Sequence, residues 1–175
     1  PSRMEVDEYQ DYLEDVMAEA GMINALYSDS IWEPVRLIVG DNYHRAIAAM
    51  QLYSVLLVNP IADGMNLVAK EGVLVNQHDG VLILSEHAGA YDELGEIATA
   101  VSPYDIFGTA EAIHQALQMD IQDRQSRARQ MRKIVENADV NQWFFNQLKD
   151  AMKDYHQKKH AEVRSNDREG KISSE

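Results

Sequence analysis

Asp63, Asn66 and Glu71 lie within VLLVNPIADGMNLVAKEGVLVN, residues 55–76, at spacings suited to sugar hydroxyls. A carboxylate and an amide flank the opening of what reads as a helix. The second carboxylate follows about one and a half turns further in, a reach that suits a ribose. Just upstream, the apolar run Val55 to Val58 reads as a buried strand, and Asn59 to Gly64 as a loop marked by Pro60 and Gly64. A strand that hands a polar, Gly-containing turn to a helix N-terminus builds an anion site. The first N–H groups of the helix have no internal partner, and the aligned peptide dipoles place roughly +0.5 charge there. The chemistry is that of a nucleotide-sugar or dinucleotide pocket.

Each of these residues also has a plainer reading. Asp63 is a good N-cap for the helix that follows, Gly64 a simple turn residue, and Leu67 and Val68 core residues by type. Glu71 could pair with a nearby lysine, while Lys70, mid-helix, reads as solvated. The histidines do not assemble a metal site by spacing. His78, His87 and His114 stand apart, and His156 and His160, four apart in a polar terminal helix, have no third ligand in view. They read as solvent-exposed. Ser85 and Asp92 are not a hydrolase pair, because no G-x-S-x-G elbow surrounds Ser85.

The elements that must position the loop follow from periodicity. Val6 to Tyr27 reads as a long amphipathic helix, Pro34 to Val39 as a strand ending at Gly40, and Tyr43 to Tyr53 as a helix. After Val55 to Val58 come a helix from Asn66 to Val75, a strand from Val81 to Leu84 and a short helix from Ala90 to Leu94. A brief strand from Ala98 to Ser102 ends at Pro103, and a helix runs from Thr109, its candidate cap, to Met119. Asp120 to Glu136 and Val140 to Lys159 read as two further helices. Short strands separated by helices predict an α/β fold, a doubly wound parallel sheet whose ligands bind beyond the C-terminal strand ends. Residues 161–175 are charged and poor in large apolar groups, and read as a disordered tail.

Composition narrows the function. A formal charge of −13 argues against nucleic acid or an anionic membrane as partner. No cysteine is present for a disulfide or a thiolate metal site. No apolar run approaches the ~18 residues of a membrane span, and a cytoplasmic enzyme is the default expectation.

DGMNLVAKE resembles the donor-binding motif of the trehalose-6-phosphate synthase family of retaining glycosyltransferases. The likeness continues on both sides. PSRMEVDEYQDYLEDVMAEAGMINALY is similar to the family's PSR…EYQ…INGRY block, and Trp32-Glu33-Pro34-Val35 to its W-x-P-V. GVLILSEHAGAYDELG and SPYDIFGTAEAIHQALQM match its later segments, so the resemblance covers roughly residues 1–150 in order. The first block matches the middle of the family, so the chain is expected to be the C-terminal, donor-binding part of a longer GT-B enzyme. Residues 1–160 would be a Rossmann-like nucleotide-sugar domain with additional C-terminal helices.

The resemblance implies transfer of glucose from UDP-glucose, or another nucleoside diphosphate-glucose, to glucose 6-phosphate with retention, in trehalose biosynthesis. It implies no metal and no cofactor, the N-terminal domain of the same polypeptide as partner, and leaves a homo-oligomer open. Asp63 is the catalytic candidate, bonding hydroxyls of the donor glucose. Gly64, Met65 and Asn66 would turn backbone amides to the sugar and diphosphate, Leu67 and Val68 would offer their N–H groups to the diphosphate, and Glu71 would accept the ribose hydroxyls. Arg3, in the PSR triplet, would grip the acceptor phosphate. Tyr43 falls near the family's base-binding turn, without an assigned contact. Two positions depart from the common motif: Ala62, where many members have arginine, and Gly72, where many have tyrosine. Related enzymes with such changes include glucosylglycerol-phosphate synthases and pseudo-glycosyltransferases that form a C–N bond, so the acceptor is open. A non-catalytic domain of the same fold is the remaining alternative.

Overall fold

The central sheet has the order β1-β2-β3 and is parallel throughout. Its strands are β1 (Val55–Val58), β2 (Val81–Ser85) and β3 (Thr99–Val101), with Val55 opposite Val81 and Ile83 opposite Thr99. In this computed structural model, residues 7–40, 42–138 and 144–153 are described. The helices are α1 (Asp7–Tyr27), α2 (Tyr43–Leu52), α3 (Leu67–Val75), α4 (Tyr91–Leu94), α5 (Ile106–Gln118) and α6 (Ile121–Asn137). Residues 144–153 are also helical. The chain divides into two units, Pro1–Ala46 and Ile47–Glu175, with the boundary inside α2.

In the larger unit the alternation of side chains along β2 builds two cores. Leu82 and Leu84 face one way, into Val58, Ala69 and Val73 of α3, Leu94 and Met131 of α6. Val81 and Ile83 face the other way, into Val101 and Ala112 and Ala116 of α5. Every residue of β2 is buried, as a central parallel strand covered on both faces must be. This is the doubly wound α/β arrangement expected from the sequence. Fully burying a side chain such as Leu82 or Leu84 stabilises the fold by about 1.5–3 kcal/mol.

Arginines lash α6 to the turn after α3. Arg132 donates to Asn76 O at 3.0 Å and pairs with Asp79 Oδ1 at 3.1 Å, while Arg124 donates to Asp79 O and His78 O. Tyr53 is packed beneath that turn, against Gly72 and Gly80. Burial pushes its hydroxyl pKa from 10.0 up to about 12, against the opposing pull of the Arg132 charge.

Two expectations need correction. Pro34 to Val39 has no regular structure and belongs to no ladder among the described residues. Pro34 has no N–H to give, and Asn24 takes both main-chain groups of Val35, donating to its carbonyl at 2.8 Å and accepting its N–H at 2.9 Å. Helix α5 starts a turn earlier than Thr109. Its cap is Asp105, which accepts from Gly108 N at 2.9 Å, while the Thr109 hydroxyl donates back to Asp105 O. The remaining elements fall within a few residues of their expected bounds. Val6, Arg3 and the segment 161–175 lie outside the described residues, as do the ends of the Val140–Lys159 helix.

Candidate functional site

The loop between β1 and α3 leaves the C-terminal end of the sheet and is clamped there by the loop after β2. Asp63 N–H donates to His87 O at 3.3 Å, and Gly89 N–H donates to Asp63 O at 2.9 Å, a parallel bridge between Asp63 and Ala88. Ser85 closes β2 with a hydroxyl that is fully buried, so it must find partners. It donates to Pro60 O at 2.8 Å and accepts from His87 N–H at 3.1 Å. Gly89 meets Gly64 so closely that a Cβ there would overlap the Gly64 carbonyl.

With its main chain held, Asp63 presents an exposed side chain. Its Oδ1 accepts from Met65 N–H at 3.3 Å and its Oδ2 from Asn66 Nδ2 at 2.8 Å. The helix cap is therefore not Asp63 but Asn66, whose Oδ1 accepts from Ala69 N–H at 3.0 Å. Asn66 sits in the left-handed region, φ 57°, which asparagine tolerates better than most residues. Among the described residues nothing accepts from the N–H groups of Gly64, Asn66, Leu67 or Val68. A short row of unclaimed amides therefore lies beside Asp63, at the positive end of α3.

Leu67 and Val68 are exposed at the mouth rather than in the core, because α3 turns Ala69, Gly72 and Val73 to the sheet. Glu71 lies one turn behind them on the same side of the helix. It is half-buried, and among the described residues it makes no hydrogen bond or ion pair. Lys70, expected to be solvated, instead reaches Glu93 of α4 at 2.6 Å with its side chain mostly covered. Gly72 is buried against β1, where a Cβ would come within 2.5 Å of Leu56 Cδ2.

The contiguous candidates Asp63, Gly64, Met65, Asn66, Leu67, Val68 and Glu71 thus share one end of the sheet, and Arg3 lies outside the described residues. Sequence reasoning missed the clamp Ser85 to Gly89. Its signal was present, since a serine ending an otherwise apolar strand needs buried partners. Among the described residues no three His, Asp or Glu side chains converge as metal ligands, and no helix is long and apolar enough to cross a membrane.

The profile of glycosyltransferase family 20 matches residues 1–153. This chain belongs to glycosyltransferase family 20. The trehalose-6-phosphate synthase of Citrobacter koseri is 41% identical over 155 residues, and that of Enterobacter sp. (strain 638) 40% over 145 residues. These matches cover 85% and 81% of the family 20 chain, but only 33% and 30% of the relatives. The chain therefore spans about a third of their length. Among solved structures, the E. coli trehalose-6-phosphate structure bound with UDP-2-fluoro glucose superposes with a TM-score of 0.76 at 37% identity, over 85% of this chain and 33% of that one. An alpha,alpha-trehalose-phosphate synthase (UDP-forming) from Burkholderia xenovorans, in complex with glucose-6-phosphate, gives 0.76 at 36%, with the same coverage.

Proposed function

We propose that the loop 59–66 and the start of α3 bind the donor of a trehalose-6-phosphate synthase reaction, UDP-glucose. The protein of which these residues form a part would pass glucose to glucose 6-phosphate with retention. The observation that carries this reading is the row of unclaimed amides beside the exposed Asp63 carboxylate. In this reading Asp63 takes hydroxyls of the donor glucose, the amides of Gly64 and Asn66 face the sugar and diphosphate, joined by that of Met65 once it leaves Asp63 Oδ1, and the N–H groups of Leu67 and Val68 meet the diphosphate. Glu71, a half-buried carboxylate with acceptor capacity to spare, takes the ribose hydroxyls. Arg3 grips the acceptor phosphate. Retention requires no protein nucleophile when leaving phosphate and acceptor hydroxyl share one face of the sugar. The work of the site is then to stabilise charge growing on the diphosphate, for which fixed amides at a helix start are suited. The enzyme acts in the cytoplasm without metal or cofactor, and the rest of its polypeptide completes the acceptor side begun by Arg3.

Calorimetry of the whole protein with UDP-glucose tests the reading. A charge-assisted hydrogen bond is worth enough that Asp63→Ala should weaken donor binding roughly ten- to hundredfold. Equal heats for wild type and variant would leave the fold without the chemistry. A second reading concerns the acceptor and is favoured by Ala62, which stands exposed beside Asp63 where many family members have arginine. Here the same donor half serves a glucosylglycerol-phosphate synthase or a C–N coupling relative. Turnover against a panel of phosphorylated acceptors separates the two.

A further inference from the structure

We infer that His87 is a positioning residue whose ring Nδ1–H, given to the Ile61 carbonyl, holds the loop that carries Asp63. Nδ1 lies 2.9 Å from Ile61 O. A carbonyl only accepts, so the proton is on Nδ1, and the neutral ring is the Nδ1–H tautomer rather than the Nε2–H form. The main chain of the same residue already grips the loop, taking Asp63 N–H at 3.3 Å and resting on Ser85 Oγ at 3.1 Å. His87 therefore holds both sides of Ala62, whose methyl cannot reach a partner of its own. Among the described residues no other group bonds to the Ile61 carbonyl, and Ile61 and Ala62 are both exposed. Without the ring this part of the loop would hang between the Pro60 and Asp63 anchors.

The far side of the ring meets Tyr104, in the loop after β3, edge to face at 6.0 Å. Nε2 stands 3.9 Å from Glu86 Oε1, beyond hydrogen bonding. One imidazole thus ties together the loops that follow all three strands. Ile61 precedes Asp63 by two residues, so slack there loads the longer of the two Asp63 main-chain bonds, the 3.3 Å one to His87 O, and a carboxylate that must meet a sugar hydroxyl tolerates little displacement. The functional readout rests on the donor-site reading above, whereas the geometry does not.

Three substitutions in the whole protein separate the roles of this ring. His87→Asn keeps an amide N–H near the place of Nδ1, His87→Gln moves it toward the place of Nε2, and His87→Phe keeps the ring against Tyr104 without a donor. We expect the KM for UDP-glucose to rise about three- to tenfold in His87→Gln and His87→Phe, the value of one neutral hydrogen bond. His87→Asn should restore most of it, with kcat changing less than KM in all three. Ring-nitrogen NMR of the wild-type protein should show neutral His87 as the Nδ1–H tautomer, a readout that needs no turnover. An Nε2–H tautomer overturns the inference even if UDP-glucose proves not to be the substrate. A His87→Phe protein as good as wild type, or a His87→Asn protein as poor as His87→Gln, overturns it where UDP-glucose is turned over.

Discussion

Gly89 and Gly64 meet backbone to backbone, and a methyl at position 89 would overlap the Gly64 carbonyl. Flexible side chains can move aside, but a carbonyl two residues from the cap of α3 cannot move without carrying the amides with it. Gly89→Ala should therefore destabilise the protein by about 1–3 kcal/mol, the ordinary cost of overpacking, and lower affinity for UDP-glucose as well. Thermal unfolding and donor titration of the same variant check both. A loss of stability with unchanged donor affinity would separate the clamp from the site. At this scale much was legible before any coordinates. The polar turn between a strand and a helix marked Asp63, Asn66 and Glu71 by local pattern alone. What stayed hidden was the partner of each. Lys70 looked solvated because helix rules see only neighbours three and four residues away, and Glu93 is 23 residues along the chain. Asp63 reads as the cap of α3 because it is a good capping residue just before the helix, but its carboxylate goes to Met65 N–H and Asn66 Nδ2, and Asn66 three residues on takes the Ala69 N–H instead.

Between elements, Tyr53 holds the turn after α3 in place, and its ionisation links that packing to pH. Its pKa in the folded chain is raised from 10.0 to about 12 by burial. Between these values the unfolded chain has released a proton that the native chain still holds, so stability falls as pH rises through that window and is unaffected below it. Tyr53→Phe should remove this part of the alkaline loss. Urea unfolding at several alkaline pH values would show a shallower decline for the variant, and identical slopes would mean that the hydroxyl reaches solvent. The elements themselves were recoverable wherever the pattern was local. β1 begins and ends at the expected residues, and α3 runs to the expected Val75. Pro34 to Val39 failed because a run of β-branched residues describes what a strand looks like, whereas a strand exists only beside another. Val35 spends its main-chain groups on Asn24 instead.

At the largest scale, the deciding fact is that among the described residues the sheet stops at β1. Ser54 O accepts from Val81 N–H, so by the alternation of a parallel ladder the main-chain groups of Val55 and Leu57 point away from β2. Val-Leu-Leu-Val offers no charge, proline or bulge, the usual protections of a true edge strand, and Leu57 is 39% exposed. In the other unit Ile31, Trp32 and Ile38 are also exposed, and open hollows of about 490 and 510 Å³ lie along the stretch from Asp29 to Val39. The chain covers about a third of its relatives' length, and under the proposed function these surfaces would meet the rest of the polypeptide. The 175 residues alone should therefore bind UDP-glucose weakly, show no turnover and associate through the open edge. Leu57→Lys, which places a charge there, should reduce that association in sedimentation experiments. In the whole protein the Val55 and Leu57 amides should exchange with solvent far more slowly than in the 175-residue chain. Equally fast exchange in both would mean that β1 is a genuine edge and that no further strand joins the sheet there.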